Sequence, residues 1–72
     1  MKPTDELIAD ICKTDLTWMV TRGDPKMFEV VFGGEHFQLR LNDFPEEPIC
    51  TLFVRDRELD LEEAPRLWHL KH

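Results

Sequence analysis

The chain has 72 residues, a formal net charge of −6 at pH 7, and 42% hydrophobic residues that include five phenylalanines and two tryptophans. This length predicts a single small domain over residues 1–72, and the apolar content excludes an intrinsically disordered chain. The excess of acids repels phosphate backbones, so direct binding to nucleic acid is not expected.

The apolar residues are scattered along the chain in runs of two or three, such as Leu52-Phe53-Val54. These runs are too short for a transmembrane helix, and the residues after the initiating methionine do not have the pattern of a secretory signal. Cys12 and Cys50 are too few for a disulfide scaffold, so both are expected to be reduced and unbridged. These features predict a cytoplasmic protein without membrane association.

Residues 4–13 are predicted to form a helix. Thr4 can cap its N-terminus, acidic residues follow where the helix dipole is positive, and Lys13 suits the opposite end. A helix of about ten residues is too short to be stable alone, so it must pack on another element. One stripe of apolar residues can make that contact: Leu7, Ile8, Ile11 and Cys12.

Three segments in which apolar and polar residues alternate with period two are predicted as strands, at residues 16–22, 27–33 and 35–41. A loop at residues 23–25 joins the first two strands. The parity of the alternation is preserved across this loop, so the strands form an antiparallel meander with one strongly apolar face. The predicted N-terminal helix has the matching stripe to cover that face.

The turn between the second and third strands is the most specific local signal. Gly33-Gly34 supplies the positive φ angles of a two-residue type I′ turn. This turn places Val30 opposite Phe37 on the apolar face and Glu29 on the other face. A slip of one residue would reverse the two faces, so the register is strongly specified.

The second half of the chain is less regular. Prolines and acids at residues 42–48 indicate an exposed connection, and residues 49–54 are predicted as a fourth, more buried strand. Residues 57–72 fit either one helix or a short extended piece followed by a helical turn from Pro65; we favour the second, because Pro65 would interrupt the first. The predicted fold class is α+β, an N-terminal helix packed on an antiparallel meander of three to four strands, with a short C-terminal helical turn.

Groups that could carry out catalysis are sparse. The chain has no serine or tyrosine, and no glycine-rich phosphate loop follows a strand. His36 lies near Glu29 on the polar side of the predicted sheet, where such a pair is more often a surface contact than a general base. The cysteines and histidines lack the spacing of a metal site. No catalytic residue, metal site or cofactor is predicted, and the protein is not expected to be an enzyme.

Acidic residues concentrate between residues 43 and 63. Such a surface would attract a basic protein partner. Four of these acids are predicted to contact that partner: Glu46, Glu47, Asp56 and Glu58. Apolar contacts are predicted for four further residues: Trp18, Met19, Val31 and Trp68. Met19 and Val31 fall on the sheet face opposite the helix, and an exposed tryptophan would anchor the affinity.

The predicted function is therefore that of a small acidic protein-interaction module, of the inhibitor, immunity or accessory-subunit type. The alternative is a small-molecule-binding or enzymatic domain whose site is shared between the subunits of a homo-oligomer. In that alternative, His36 and Glu29 would face a cleft of the neighbouring subunit.

Overall fold

A computed structural model describes residues 3–43 and 45–71 of the chain. In chain order the elements are helix α1 (Thr4–Ile11) and strands β1 (Leu16–Thr21), β2 (Asp24–Phe32), β3 (Glu35–Leu41), β4 (Cys50–Val54), β5 (Arg57–Leu61) and β6 (Trp68–Lys71). The six strands form one mixed sheet in the order β5-β4-β3-β2-β1-β6.

The three strands predicted from alternation are confirmed as β1, β2 and β3, and the hairpin between β2 and β3 has the predicted register. Val30 pairs with Phe37, as the two-glycine turn requires. Gly33 and Gly34 have positive φ angles of 61° and 79°, which glycine adopts without the steric cost of a Cβ. The alternation and the turn chemistry therefore agree, and together they specify this hairpin.

The turn between β1 and β2 is tighter than the predicted loop at residues 23–25. Thr21 pairs directly with Asp24, and the register shifts immediately beyond this pair. Gly23 has a φ of 87°, and the Asp24 carboxylate accepts a hydrogen bond from the backbone N–H of Lys26 at 3.0 Å. The Asp24 side chain thus closes a local turn. This turn accommodates the additional residues that β2 has between the Val20–Phe28 pair and the Thr21–Asp24 pair.

The predicted helix on an antiparallel meander of three to four strands is wrong, because the sheet has six strands and is mixed. Strand β4 pairs antiparallel with β3, and β5 pairs antiparallel with β4. Strand β6 lies at the opposite edge, where it pairs parallel with β1. The class is α+β with a predominance of sheet.

The predicted C-terminal helical turn from Pro65 is also wrong, since Trp68–Lys71 is strand β6. Trp68 and Leu70 pack in or against the core, whereas the residue that follows each of them is exposed. This is the alternation of a strand with one buried face, and burial of the large indole favours it over an isolated helical turn. Residue 72, the last residue of the predicted turn, lies outside the described residues.

Helix α1 is shorter than the predicted residues 4–13, because it ends at Ile11. Pro3 precedes the helix, and no side chain caps the N-terminus. Thr4 is therefore the first helical residue and not the cap, and Lys13 lies beyond the last turn. The apolar stripe explains why so short a helix forms, since most helical stability in proteins comes from packing.

Arg55 connects the start of α1 to the sheet. It lies in the turn between β4 and β5 with a φ of 54°. Its guanidinium donates to the Thr4 hydroxyl at 2.9 Å and to the Glu35 carboxylate at 2.7 Å. The hydrogen bond from Arg55 lowers the pKa of Glu35 below its ordinary value. One side chain thereby links the helix, β3 and the β4–β5 turn.

The core lies between α1 and one face of the sheet. Its two indole rings are 4.9 Å apart between centroids, and the Trp68 indole N–H donates to the Ile11 carbonyl at 2.9 Å. This hydrogen bond ties the edge strand β6 to the end of the helix. The buried apolar residues are Leu7, Ile11, Trp18, Phe28, Phe37, Leu39, Cys50, Leu52, Val54 and Trp68.

Cys12 and Cys50 are free thiols in the structure. Burial raises the pKa of both, and the neighbouring Cys12 raises that of Cys50 further. A thiol with a raised pKa contains less thiolate at a given pH, so its alkylation is slower. We expect iodoacetamide, without reductant, to modify the native protein slowly and to need a pH above the ordinary cysteine pKa of about 8.5 for rapid reaction.

Mass spectrometry of samples taken over time would check this expectation. In urea both thiols are expected to react at the rate of an unburied cysteine, and in the native protein Cys50 is expected to be the slower of the two. Absence of any modification in urea would mean that the cysteines are bridged, and would contradict the predicted reduced state.

Candidate functional site

The two faces of the sheet have different chemistry. Side chains of successive strand residues point to opposite faces, and those that face α1 form the core. The remaining face, which we call the outer face, carries no helix formed by residues 3–43 and 45–71. Its residues on β1 to β6 include Met19, Met27, Glu29, Val31, His36, Gln38, Arg40, Thr51, Phe53, Glu58, Asp60 and Lys71.

One row of the outer face crosses all six strands, because directly paired residues share a face. Each pair in this row follows from the register of two neighbouring strands. From the β5 edge to the β6 edge, its members are Glu58, Phe53, Gln38, Glu29, Met19 and Lys71. The row therefore begins with an acid and ends with a base.

The outer face exposes several apolar side chains. Val31 is 69% exposed and Met19 is 53% exposed, as the predicted alternation requires. Phe53 is half-buried on β4, and the guanidinium of Arg40 lies 5.4 Å from the centroid of its ring, a cation–π contact. Apolar groups surrounded by polar side chains are typical of the core and rim of a protein interface.

Glu29 and His36 are in contact on this face. The His36 Nε2 lies 3.3 Å from the Glu29 carboxylate, and both side chains are about half exposed. A pair of this exposure contributes little to stability. The shared-site alternative requires this pair to face a cleft of a neighbouring subunit, and that requirement stays a prediction.

A chain of hydrogen bonds reinforces the outer face near the β5 edge. Arg40 Nε donates to the Asn42 side-chain carbonyl at 2.9 Å, and the Asn42 amide donates to the Thr51 hydroxyl at 2.8 Å. The buried Thr51 hydroxyl donates in turn to the Asp60 carboxylate at 3.0 Å. This network could not be predicted from the sequence, because it depends on the pairing of β3, β4 and β5.

The four acids predicted to contact a partner do not form one patch. Asp56 lies in the turn between β4 and β5, and Glu58 lies on the exposed edge strand β5. Glu46 and Glu47 lie in the connection that leads to the other end of β4. The structure brings this second pair close to an additional acid in an open cleft. The cleft is lined by Pro45, Glu46, Glu47, Pro48, Ile49 and Glu62.

Trp18 and Trp68, the two predicted aromatic contacts, are buried. They are 0% and 7% exposed, respectively, so the condition for either to anchor a partner is not met. Among the described residues, Trp18 Nε1 is the buried side-chain polar atom that lacks a hydrogen-bond partner. Trp18 alternates with the exposed Thr17 and Met19 along β1, and this alternation is the signal in the sequence for its burial.

Within residues 3–43 and 45–71, no helix is long and apolar enough to cross a membrane. Over the same part of the chain, no three histidine, cysteine or acidic side chains converge as metal ligands would. No known protein family matches the chain, and neither a curated protein nor a solved structure is significantly similar to it.

Proposed function

We propose that the protein is a protein-interaction module that binds its partner through the outer face. The observation that carries this proposal is the exposure of Val31 and Met19 on a sheet face that no helix among the described residues covers. Burial of a side chain of this kind is favourable by at most about 1.5–3 kcal/mol. Polar and charged residues lie beside the two, among them Glu29, which pairs with Met19, and His36, which pairs with Val31.

The edge of the sheet supports the same proposal. Strand β5 is an outermost strand, and all of its residues except Leu61 are exposed. Asp56 and Glu58 alternate with Arg55 and Arg57 at this edge, whereas Glu46 and Glu47 concentrate negative charge beside Glu62 at the other end of β4. Such charges accelerate association with a basic surface and contribute less to the final affinity. The acids would therefore increase the association rate, and the exposed apolar side chains would provide most of the affinity.

The proposal includes a reducing, cytoplasmic setting. The two free thiols, Cys12 and Cys50, support it, because proteins of oxidising compartments tend to bridge their cysteines. An oxidising compartment would expose these thiols to bridging with each other or with those of other proteins.

Site-specific photo-crosslinking tests the proposed surface. A photoreactive phenylalanine analogue is introduced at Val31 in the cells that produce the protein, and a second variant carries it at Lys13. Lys13 is exposed and lies two residues after the end of α1, on the side of the sheet opposite the outer face. We expect a discrete crosslinked protein from position 31 and not from position 13.

The same crosslink should be lost when Met19→Glu is added, because a carboxylate cannot be buried in an apolar interface without a large cost. Equal crosslinking from positions 31 and 13, or none from position 31, would contradict binding through the outer face. The mass of the crosslinked protein identifies the partner.

A further inference from the structure

We infer that the partner of the outer face is a second copy of this chain, packed face to face about a two-fold axis that runs parallel to the strands. This inference rests on the proposed function, since it names the partner of the same surface. It follows from the sequence of side chains along the central row of the outer face, from Glu58 at the β5 edge to Lys71 at the β6 edge.

A two-fold axis that relates two facing sheets lies between them, in the plane of the interface. If this axis runs along the strands, it reverses their lateral order and preserves the position along each strand. Strand β5 then lies over β6 of the partner, β4 over β1, and β3 over β2. Sheets packed in this way keep their strand directions nearly aligned and lie about 10 Å apart, as in β-sandwiches.

The reversal makes the central row complementary to itself. Glu58 at one edge lies over the partner's Lys71, so each edge contributes an ion pair of opposite charges. Within the described part of the chain, neither of these side chains has an ion-pair partner in the monomer. Both are exposed, so they can meet a second subunit without breaking an existing contact.

The inner positions of the row match equally well. Phe53 lies over the partner's Met19, and a methionine sulfur packs favourably against an aromatic ring. Closer to the axis, Gln38 lies over the partner's Glu29, where an amide can donate to a carboxylate. The symmetry repeats each contact, so every pair occurs twice in the dimer.

The charges also disfavour a face-to-face arrangement about an axis perpendicular to the strands. A two-fold axis perpendicular to the strands would place β5 over β5 and β6 over β6. Glu58 would then face the partner's Glu58, and Lys71 would face the partner's Lys71. Like charges in these positions repel, so the axis parallel to the strands is favoured.

Reversal of the two edge charges tests the arrangement. The purified full-length chain, of 8.6 kDa, is studied by sedimentation velocity over a range from about 1 μM to about 1 mM. We expect a dimer whose dissociation constant rises about tenfold or more in Glu58→Lys and in Lys71→Glu, because each change turns two attractions into repulsions. Glu63→Lys and Lys13→Glu, which make the same changes in net charge at exposed positions off the row, should leave the dimer nearly unchanged.

Two rescue experiments make the test specific to this geometry. A mixture of the Glu58→Lys and Lys71→Glu proteins should form heterodimers. At one edge the lysine introduced at position 58 then meets the glutamate introduced at position 71 of the other subunit, and the remaining edge keeps its native pair. The double variant Glu58→Lys/Lys71→Glu should dimerise with itself, because the charges at both edges are exchanged and remain opposite. Circular dichroism confirms that each variant is folded before its association is measured.

Each outcome has a distinct meaning. A monomer at all concentrations, or edge variants that behave like their charge-matched controls, would overturn the self-association. In that case the proposed interaction module still stands if position 31 crosslinks to a different protein. If position 31 crosslinks to nothing, both proposals fail. A wild-type dimer whose association is weakened in the two single variants and restored in their mixture supports both proposals.

Discussion

Replacement of Trp18 by alanine is expected to lower the free energy of unfolding by about 3–5 kcal/mol, the usual cost of removing a large aromatic side chain from a core. Trp18 is fully buried and stacks at a tilt against Trp68, with 4.9 Å between the ring centroids. The core of so short a chain supplies about 3–5 kcal/mol of stability, so a loss of this size would leave much of the protein unfolded. Urea denaturation followed by circular dichroism measures the loss.

The neighbouring residue provides the control. Met19 lies next to Trp18 on the same strand but points to the outer face, where it is 53% exposed. At a protein concentration low enough for the chain to be monomeric, Met19→Ala is expected to change the stability by no more than about 0.5 kcal/mol. If Trp18→Ala proves too unstable to measure, Trp18→Phe retains part of the ring and removes the unpaired Nε1, and its smaller loss remains measurable. Equal effects at positions 18 and 19 would mean that the two faces of β1 have been assigned the wrong way round.

The elements that could be predicted from the sequence are those that depend on neighbouring residues. The β2–β3 hairpin has its register set by two glycines and by alternation on both sides of them, all within one short segment. Residues 49–54 have apolar residues at both odd and even positions, and strand β4 at Cys50–Val54 accounts for this pattern. In each case the signal lies within the segment that forms the structure.

Strand β6 could not be predicted in this way. The segment with Trp68 and Leu70 is only four residues long, and so short a segment does not distinguish a helical stripe from a strand. Its pairing with β1 joins residues about fifty positions apart, Leu16 with Trp68. The deciding contribution is the burial of Trp68 against Trp18 and α1, which no local pattern reveals.

The residues of the outer face show the same difference between local patterns and long-range pairing. Met19 and Val31 were placed on the outer face by parity alone, and the structure exposes both. Phe53 and Lys71 were not recognised, because they join the surface only through the pairing of β4 with β3 and of β6 with β1. The self-complementary order of the central row is therefore a property of the strand order, and no single segment contains it.

Replacement of Gly33 by alanine is expected to destabilise the fold considerably more than the same change at Gly34. Both glycines have positive φ angles, 61° and 79°, so each alanine incurs a backbone cost of about 1–2 kcal/mol. At Gly33 a Cβ would also lie 2.8 Å from Leu7 Cδ2, whereas at Gly34 it would meet nothing within 4 Å. Leu7 is buried in the core, so it cannot move away freely, and overpacking of this kind costs about 1–3 kcal/mol more.

The difference between the two variants isolates the contact between α1 and the hairpin turn, since the backbone cost is common to both. Urea denaturation of the wild type, Gly33→Ala and Gly34→Ala provides the three stabilities. In the background of Leu7→Ala the extra cost at Gly33 should disappear, because the atom that the new Cβ would meet is gone; the two alanine variants should then lose similar amounts. If they already lose similar amounts in the wild-type background, the close packing of Leu7 over the turn is contradicted, and with it the position of α1 on the sheet.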